Sequence, residues 1–457
     1  MSAGNAELTD LSVTEAIQSL KRREVSAEDI MTATLSRLDS TEPCVHAYAY
    51  VAREGAMAVA RERDELAGRG GWAGPLHGIP VAVKDLFQTS DMPTEAGSKV
   101  LAGHRPADDA PAVGRLRAAG AIVVGKTVTH EFSYGLNVPP TRNAWDQSRY
   151  PGGSSAGSGV AVAVGSAAGS IGTDSAGSVR TPASVNGIVG LKPTFGSVST
   201  EGVIPSCPSL DHVGPLARSV DDCELLFRVL SGTPPPAERD PRHASGERPL
   251  AGLRLGVERL HFFNPEVEPA VATAVEEALD VLQRLGATVV ETVIPELELA
   301  AAVSGTIMVV EASHWHRTLL RERRFDYEPA TRRMLELGQL LPATGFAQAL
   351  QVRGVIREAV RRAFERDSLS AIVAPSAPVT APPVERSTEL SGLVHHQCPA
   401  NVTGQPSLSI PCGFSQEGLP IGLQLIGRPF EEHTLLRIAG AYEDATTWHR
   451  RRPRVAA

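Results

Sequence analysis

No apolar run in the 457 residues approaches the roughly 20 needed to cross a bilayer, so no membrane-spanning helix is expected. The N-terminus, MSAGNAELTD, lacks the basic stretch and following apolar segment of a secretory signal. Cysteine is scarce. Cys44, Cys207, Cys223, Cys398 and Cys412 are odd in number, widely spaced and without a C-x-x-C pair. That pattern argues against a disulfide framework or a zinc ribbon and fits reduced thiols in the cytoplasm. Long basic runs are also missing. The formal net charge is −8 and the longest basic run is Arg450 to Arg452, so no nucleic-acid partner is indicated.

What is present points to a large folded core. Hydrophobic residues make up 42% of the chain. The densest feature is Tyr150 to Pro182, YPGGSSAGSGVAVAVGSAAGSIGTDSAGSVRTP. It is rich in glycine and serine, yet Val160, Val162 and Val164 give it an apolar run that a flexible linker would not carry. It reads as loop, buried helix, short strand, tight turn and a second helix start. Small residues there let backbones approach closely and let amide N–H groups face a ligand. A close-packed crossover without chemistry is the bland alternative.

Strands and helices alternate along the rest. Ser12 with Glu15, and Ser26 with Asp29, are capping-box patterns that start helices. Ile79, Val81 and Val83 alternate like a strand, with Lys84 at its end, and a second strand is expected over Ala121 to Val124. Leu191 to Val220 reads as loop-rich because of Pro193, Pro205, Pro208 and Pro215, and a helix follows over Asp221 to Leu230. Residues 232–249 are expected to form an exposed linker. Further strands are expected over Leu253 to Val257, Thr288 to Val293, Ala371 to Ala374, Ser407 to Pro411 and Ile421 to Ile426. Helices are expected from Val271 to Gly286, through most of Glu311 to Phe364, and over Glu432 to Thr447. The class is α/β.

Several patterns compete for the chemistry. Gly120 to Thr127, GAIVVGKT, formally satisfies a phosphate-loop pattern, but the residues between its glycines are those of a strand rather than an amide-presenting loop. Gly153-Ser154-Ser155-Ala156-Gly157 satisfies a nucleophile elbow at Ser155, with His395, His396, His433 and His449 downstream as bases for a Ser-His-Asp esterase. Arg149-Tyr150-Pro151 precedes it where a buried strand should stand. His395-His396 has no carboxylate or cysteine spacing beside it that would complete a metal site.

The chain resembles the amidase signature family. The likeness runs through GPLHGIPVAVKD, GKTVTHEFSYG, PGGSSAGSG, GTDSAGSVRTPASVNGIVGLKP, GQPSLSIPCGF and GLPIGLQLIGRPFEE, spanning about residues 10 to 452. It implies a single domain with a mixed central sheet covered by helices on both faces. The regions expected are N-terminal helices (10–70), a catalytic core (71–220), a variable helical region (265–366) and C-terminal strands and helix (370–450). It also implies amide hydrolysis without cofactor or metal. Lys84 falls on the family's base, Ser154 on its relay serine and Ser178 on its nucleophile. Ser175, Ala176, Gly177 and Ser178 fall on the oxyanion-hole turn. Asp174 and Arg180 fall on the supporting acid and base, which read as a buried ion pair. Gly153 precedes Ser154 across an expected cis peptide bond. Ala176 stands where glycine is usual. His130 is expected to pack near the site.

These residue types suit the reaction. An amide is a poor electrophile with a poor leaving group, so Ser178 must lose its proton to attack and the departing nitrogen must gain one. A neutral Lys84 could take that proton through Ser154. The alternative within the family is the A subunit of a glutamine-dependent tRNA amidotransferase. Such subunits carry a segment similar to N-L-x-R-Y-D-G-x-R-Y-G after the signature. Here Val309 to Pro329 reads VVEASHWHRTLLRERRFDYEP and lacks it. A non-enzymatic scaffold is disfavoured by the presence of Lys84, Ser154 and Ser178 together. The expected partner is a small-molecule amide; a homodimer is compatible with this reading.

Overall fold

Eleven strands form one mixed sheet in a computed structural model, which describes residues 5–135, 137–233, 248–385 and 391–455. The strands are β1 (Tyr48–Val51), β2 (Pro80–Lys84), β3 (Ile122–Thr127), β4 (Gly169–Asp174), β5 (Val189–Lys192), β6 (His212–Ala217), β7 (Arg254–Glu258), β8 (Thr288–Thr292), β9 (Ala371–Pro375), β10 (Ser407–Phe414) and β11 (Pro420–Gly427). Their order is β1-β3-β2-β4-β6-β5-β10-β11-β9-β7-β8. β2 runs parallel to both β3 and β4, and β7 parallel to β8 and β9. The remaining pairs are antiparallel. β2 to β6 are buried along their whole length, as expected of strands covered on both faces. β8, at the edge, keeps exposed positions.

Both N-terminal capping boxes form. The Glu15 amide donates to Ser12 Oγ at 3.1 Å and the Ser12 amide to Glu15 Oε2 at 2.8 Å, starting Val13–Lys21. Ser26 and Asp29 repeat the arrangement before Ala27–Val45. The Gly/Ser-rich stretch resolves into the buried helix Ala156–Val164, then β4, a turn, and the helix Arg180–Asn186. The helices Ala300–Trp315, Pro329–Gly338 and Ala343–Arg366 fill the region expected to be helical.

Two differences from the sequence reading have physical causes. Leu191 to Val220 is not all loop, because β5 ends within it and β6 crosses it. Pro215 lies inside β6 opposite Ile171 of β4, while the ladder from β6 to β5 stops at Gly190↔Leu216. Pro215 therefore serves one strand neighbour and its missing N–H leaves no second ladder broken. β1 is a short, half-buried edge strand with too few residues for a clear alternation. As expected, the formal phosphate loop is a strand, β3, and Lys126 is buried against Asp85 at 3.0 Å. Of the expected linker, residues 234–247 lie outside the described residues. Among the described residues no helix is long and apolar enough to cross a membrane.

Candidate active site

The site forms where the ends of the parallel neighbours β2 and β4 meet the turn before Arg180. β2 delivers Lys84 and β4 delivers Thr173 and Asp174. Lys84 is fully buried. Its Nζ contacts Ser133 Oγ at 2.8 Å, Ser154 Oγ at 2.8 Å and Thr173 Oγ1 at 2.7 Å. Burial drives the Lys84 ammonium well below the ordinary lysine range, against the weaker pull of Asp174 and Asp211. Two other buried lysines mark the contrast. Lys126 is paired with Asp85. Lys192 donates to the carbonyls of Pro193 and Gln405 at 3.1 and 2.5 Å. A carbonyl can only accept; a hydroxyl can also donate into the lone pair of a neutral amine. Lys126 also meets the Thr94 hydroxyl at 2.7 Å, but of the three Lys84 is the one whose contacts are all hydroxyls.

Ser154 follows a cis peptide bond from Gly153. Gly153 is enclosed, since a Cβ there would run into His130 Nε2 and the Tyr150 hydroxyl. His130 is buried and packs edge-on to Tyr150, with Nε2 3.2 Å from the hydroxyl. Burial, then the charge of Lys84, push its pKa down to about 3. Ser155 is also fully buried, and its Oγ donates to the Thr173 carbonyl at 3.2 Å. Its amide donates to the Ser178 carbonyl at 3.3 Å, which ties the Ser154 segment to the turn. Ser178 is half-buried, and its Oγ takes no hydrogen bond among the described residues.

Asp174 and Arg180 brace that turn. Arg180 Nε meets Asp174 Oδ2 and its Nη2 meets Oδ1, both at 3.0 Å, with neither side chain exposed. Burial alone would raise the Asp174 pKa, but Arg180, Lys192 and Asn401 outweigh it and hold the carboxyl well below the usual range. Its oxygens also accept the amides of Gly177 at 2.7 Å and Val179 at 3.2 Å. Of the four amides expected to face an oxyanion, that of Gly177 is therefore engaged by Asp174. Those of Ser175, Ala176 and Ser178 meet no acceptor among the described residues. Gly177 has φ +108°, and a Cβ there would run into the Gln397 side chain. Ser175 Oγ donates to Asp211 Oδ1 at 2.5 Å, and Asp211 also accepts the amides of Ser206 and Cys207.

Lys84, Gly153, Ser154, Asp174 and the turn Ser175 to Ser178 thus share one neighbourhood with Arg180. Sequence reasoning missed Ser133, Thr173, Asp211, Gln397 and Asn401. Ser133 and Thr173 stand inside the segments carrying the family likeness, next to residues that drew attention, but a lone hydroxyl has no periodicity. Gln397 and Asn401 arrive from more than 200 positions away in sequence.

Comparison with known proteins decides the family. The Amidase profile matches residues 29–436. The chain belongs to the Amidase family. An amidase of Pseudomonas putida is 43% identical over 469 residues, covering 98% of each chain. The A subunit of glutamyl-tRNA(Gln) amidotransferase from Chloroflexus aurantiacus is 38% identical over 489 residues, covering 98% of this chain and 99% of its own. The peptide amidase of Stenotrophomonas maltophilia superposes with a TM-score of 0.82 at 30% identity over 98% of both chains. This Amidase-family chain is an α/β enzyme that hydrolyses amide carbon–nitrogen bonds.

Proposed function

We propose that this enzyme acts alone on small carboxylic amides through an acyl-enzyme on Ser178, with Lys84 as base and Ser154 as relay. The observation that carries the reading is a buried lysine, its pKa pushed well down by desolvation, 2.8 Å from Ser154 Oγ beside the Ser178 turn. As Ser178 Oγ attacks the carbonyl carbon, its proton passes to Ser154 and the Ser154 proton passes to Lys84 Nζ. The carbonyl π pair moves to oxygen, and the free amides of Ser175, Ala176 and Ser178 are the donors available to that oxyanion. The leaving nitrogen takes the proton back along the same path. Water then attacks the acyl carbon, passing a proton through Ser154 to Lys84; the bond from the acyl carbon to Ser178 Oγ breaks and that proton returns to Ser178. Gly177 contributes its left-handed backbone, and Asp174 with Arg180 holds the turn.

The stand-alone reading is favoured by the helical region after the signature. His316 packs edge-on against Phe132, with ring centroids 4.3 Å apart, and its Nδ1 is 2.8 Å from the Tyr327 hydroxyl. That aromatic cluster lies beside Ser133, and its rings supply no cation for the carboxylate of glutamine. The Ser155 esterase reading is disfavoured by the burial of Ser155 and its bond to a carbonyl. The test is labelling with a fluorophosphonate, located by mass spectrometry, together with a panel of amides followed by ammonia or amine release. Label on Ser178 and turnover by the isolated chain are expected. Label on Ser155, or an active Ser178→Ala variant, would overturn the assignment.

A further inference from the structure

We propose that Ser133 is a positioning residue of the proton relay, aiming the Ser154 hydroxyl at the lone pair of Lys84. The proposal rests on the Lys84–Ser154–Ser178 reading. A neutral amine has two N–H donors and one lone pair. Three hydroxyls surround Lys84 Nζ, so two must accept and one must donate if each contact is a hydrogen bond. The productive arrangement gives the lone pair to Ser154 and the two N–H groups to Ser133 and Thr173.

In that arrangement Ser133 gives its own proton to Ser154. Its Oγ is 2.6 Å from Ser154 Oγ but 3.4 Å from Thr173 Oγ1; either serine could donate across the short contact, and the productive direction has Ser133 donate to Ser154. The result is a closed ring in which Lys84 donates to Ser133, Ser133 to Ser154, and Ser154 to Lys84. Each bond polarises the next in the same direction. The ring also survives the transfer. When Lys84 gains the Ser154 proton and Ser154 gains that of Ser178, the ammonium has three N–H donors for three hydroxyls. Ser154 is neutral before and after; the net movement is one proton from Ser178 to Lys84.

The backbone supports the same conclusion. Ser133 has φ +70° and Phe132 φ +47°, two consecutive non-glycine residues in the left-handed region. That conformation is unfavourable for side chains with a Cβ and persists when neighbours enforce it. Here the Phe132 amide donates to the Ala96 carbonyl at 2.9 Å and the Ser133 amide to the His130 carbonyl at 2.8 Å. The hydroxyl so placed meets Lys84, Ser154 and Thr173 and, among the described residues, no backbone acceptor. Ser158, a buried serine with a packing role, instead donates to the Ile171 carbonyl.

The test uses Ser133→Ala and Ser133→Gly in the full chain. Alanine removes the hydroxyl alone; glycine removes it and relieves the backbone. Both should keep the wild-type circular dichroism, lower kcat roughly 10- to 100-fold, and leave KM within about two-fold. The ammonium binds an acceptor more strongly than the amine does, so losing Ser133 lowers the Lys84 pKa further. The acid limb of kcat/KM should therefore move to lower pH by about half a unit or more. Wild-type kcat in either variant, or a slowed variant with an unmoved acid limb, would overturn the proposal. Absence of fluorophosphonate label on Ser178 in the wild-type protein would instead overturn the reading beneath it.

Discussion

Asp174 and Arg180 form a two-bonded ion pair with no exposure on either side, six residues apart across the Ser178 turn. Arg180 also reaches the Gln397 carbonyl at 3.1 Å and Gln424 Oε1 at 2.8 Å, while Asn401 Nδ2 donates to Asp174 Oδ1 at 2.9 Å. The pair joins the turn to β11 and to the helix Cys398–Thr403. Its value is geometric, because desolvation of two charges offsets much of their attraction.

Breaking one half of this pair should be severe. Arg180→Met leaves a buried carboxylate without its main counter-charge, and a loss of about 3–5 kcal/mol is expected in denaturant unfolding. The sign of the pH dependence follows from the depressed Asp174 pKa. Its contribution is full above the ordinary carboxylate range, about pH 4, and fades as pH falls below it. Unfolding curves at pH 7 and pH 3 should therefore differ less for Arg180→Met than for the wild type. Equal pH sensitivity would remove Asp174 from the explanation.

Lys84→Ala should lower amide turnover by roughly 10²- to 10⁴-fold, the range of a positioned acid–base group. The acid limb of the rate profile should vanish from whatever activity remains. No single histidine substitution should match it; one that did would move the base away from Lys84.

Lys84 also predicts a pH dependence of stability, with the same sign as that of Asp174 but in a higher pH window. Its folded pKa is depressed while its unfolded value is ordinary, near 10.4, so between the two the unfolded chain binds more protons. Stability should rise with pH across that window. Lys84→Met removes one such group and should flatten the slope measured by denaturant melts. An unchanged slope would mean that Lys84 is charged in the folded protein.

Gly177→Ala should abolish turnover. A non-glycine residue at φ +108° is strained by about 1–3 kcal/mol, and its Cβ would press on Gln397. Adding Gln397→Gly relieves the contact but not the dihedral, so the double variant should stay impaired. Recovery of full activity in the double variant would show that space, not backbone conformation, fixes this glycine.

Glutamine should be a poor substrate for the isolated chain, and ATP should not change the rate on small amides. Steady-state assays with glutamine, with ATP and with candidate partner subunits check this. Glutaminase activity that emerges only with a partner would favour the amidotransferase alternative.

The α/β class, both capping boxes, most strands and the site segments are legible in the amino-acid order, because each leaves a local mark. Val81 and Val83 alternate along β2, Ser12 and Ser26 sit three residues before their acids, and the Gly/Ser stretch has an apolar run that excludes a linker. A family likeness, and not any spacing between them, singles out Lys84, Ser154 and Ser178 together. Their surroundings come from tertiary structure alone. Three buried lysines look alike as letters; Asp85, two carbonyls and three hydroxyls make Lys126, Lys192 and Lys84 different groups. The pairing of Ser133 with Ser154, and of Asp174 with Asn401, depends on strand order and loop closure over long separations. Those contacts arise from the sheet bringing distant segments together, and no local pattern encodes them.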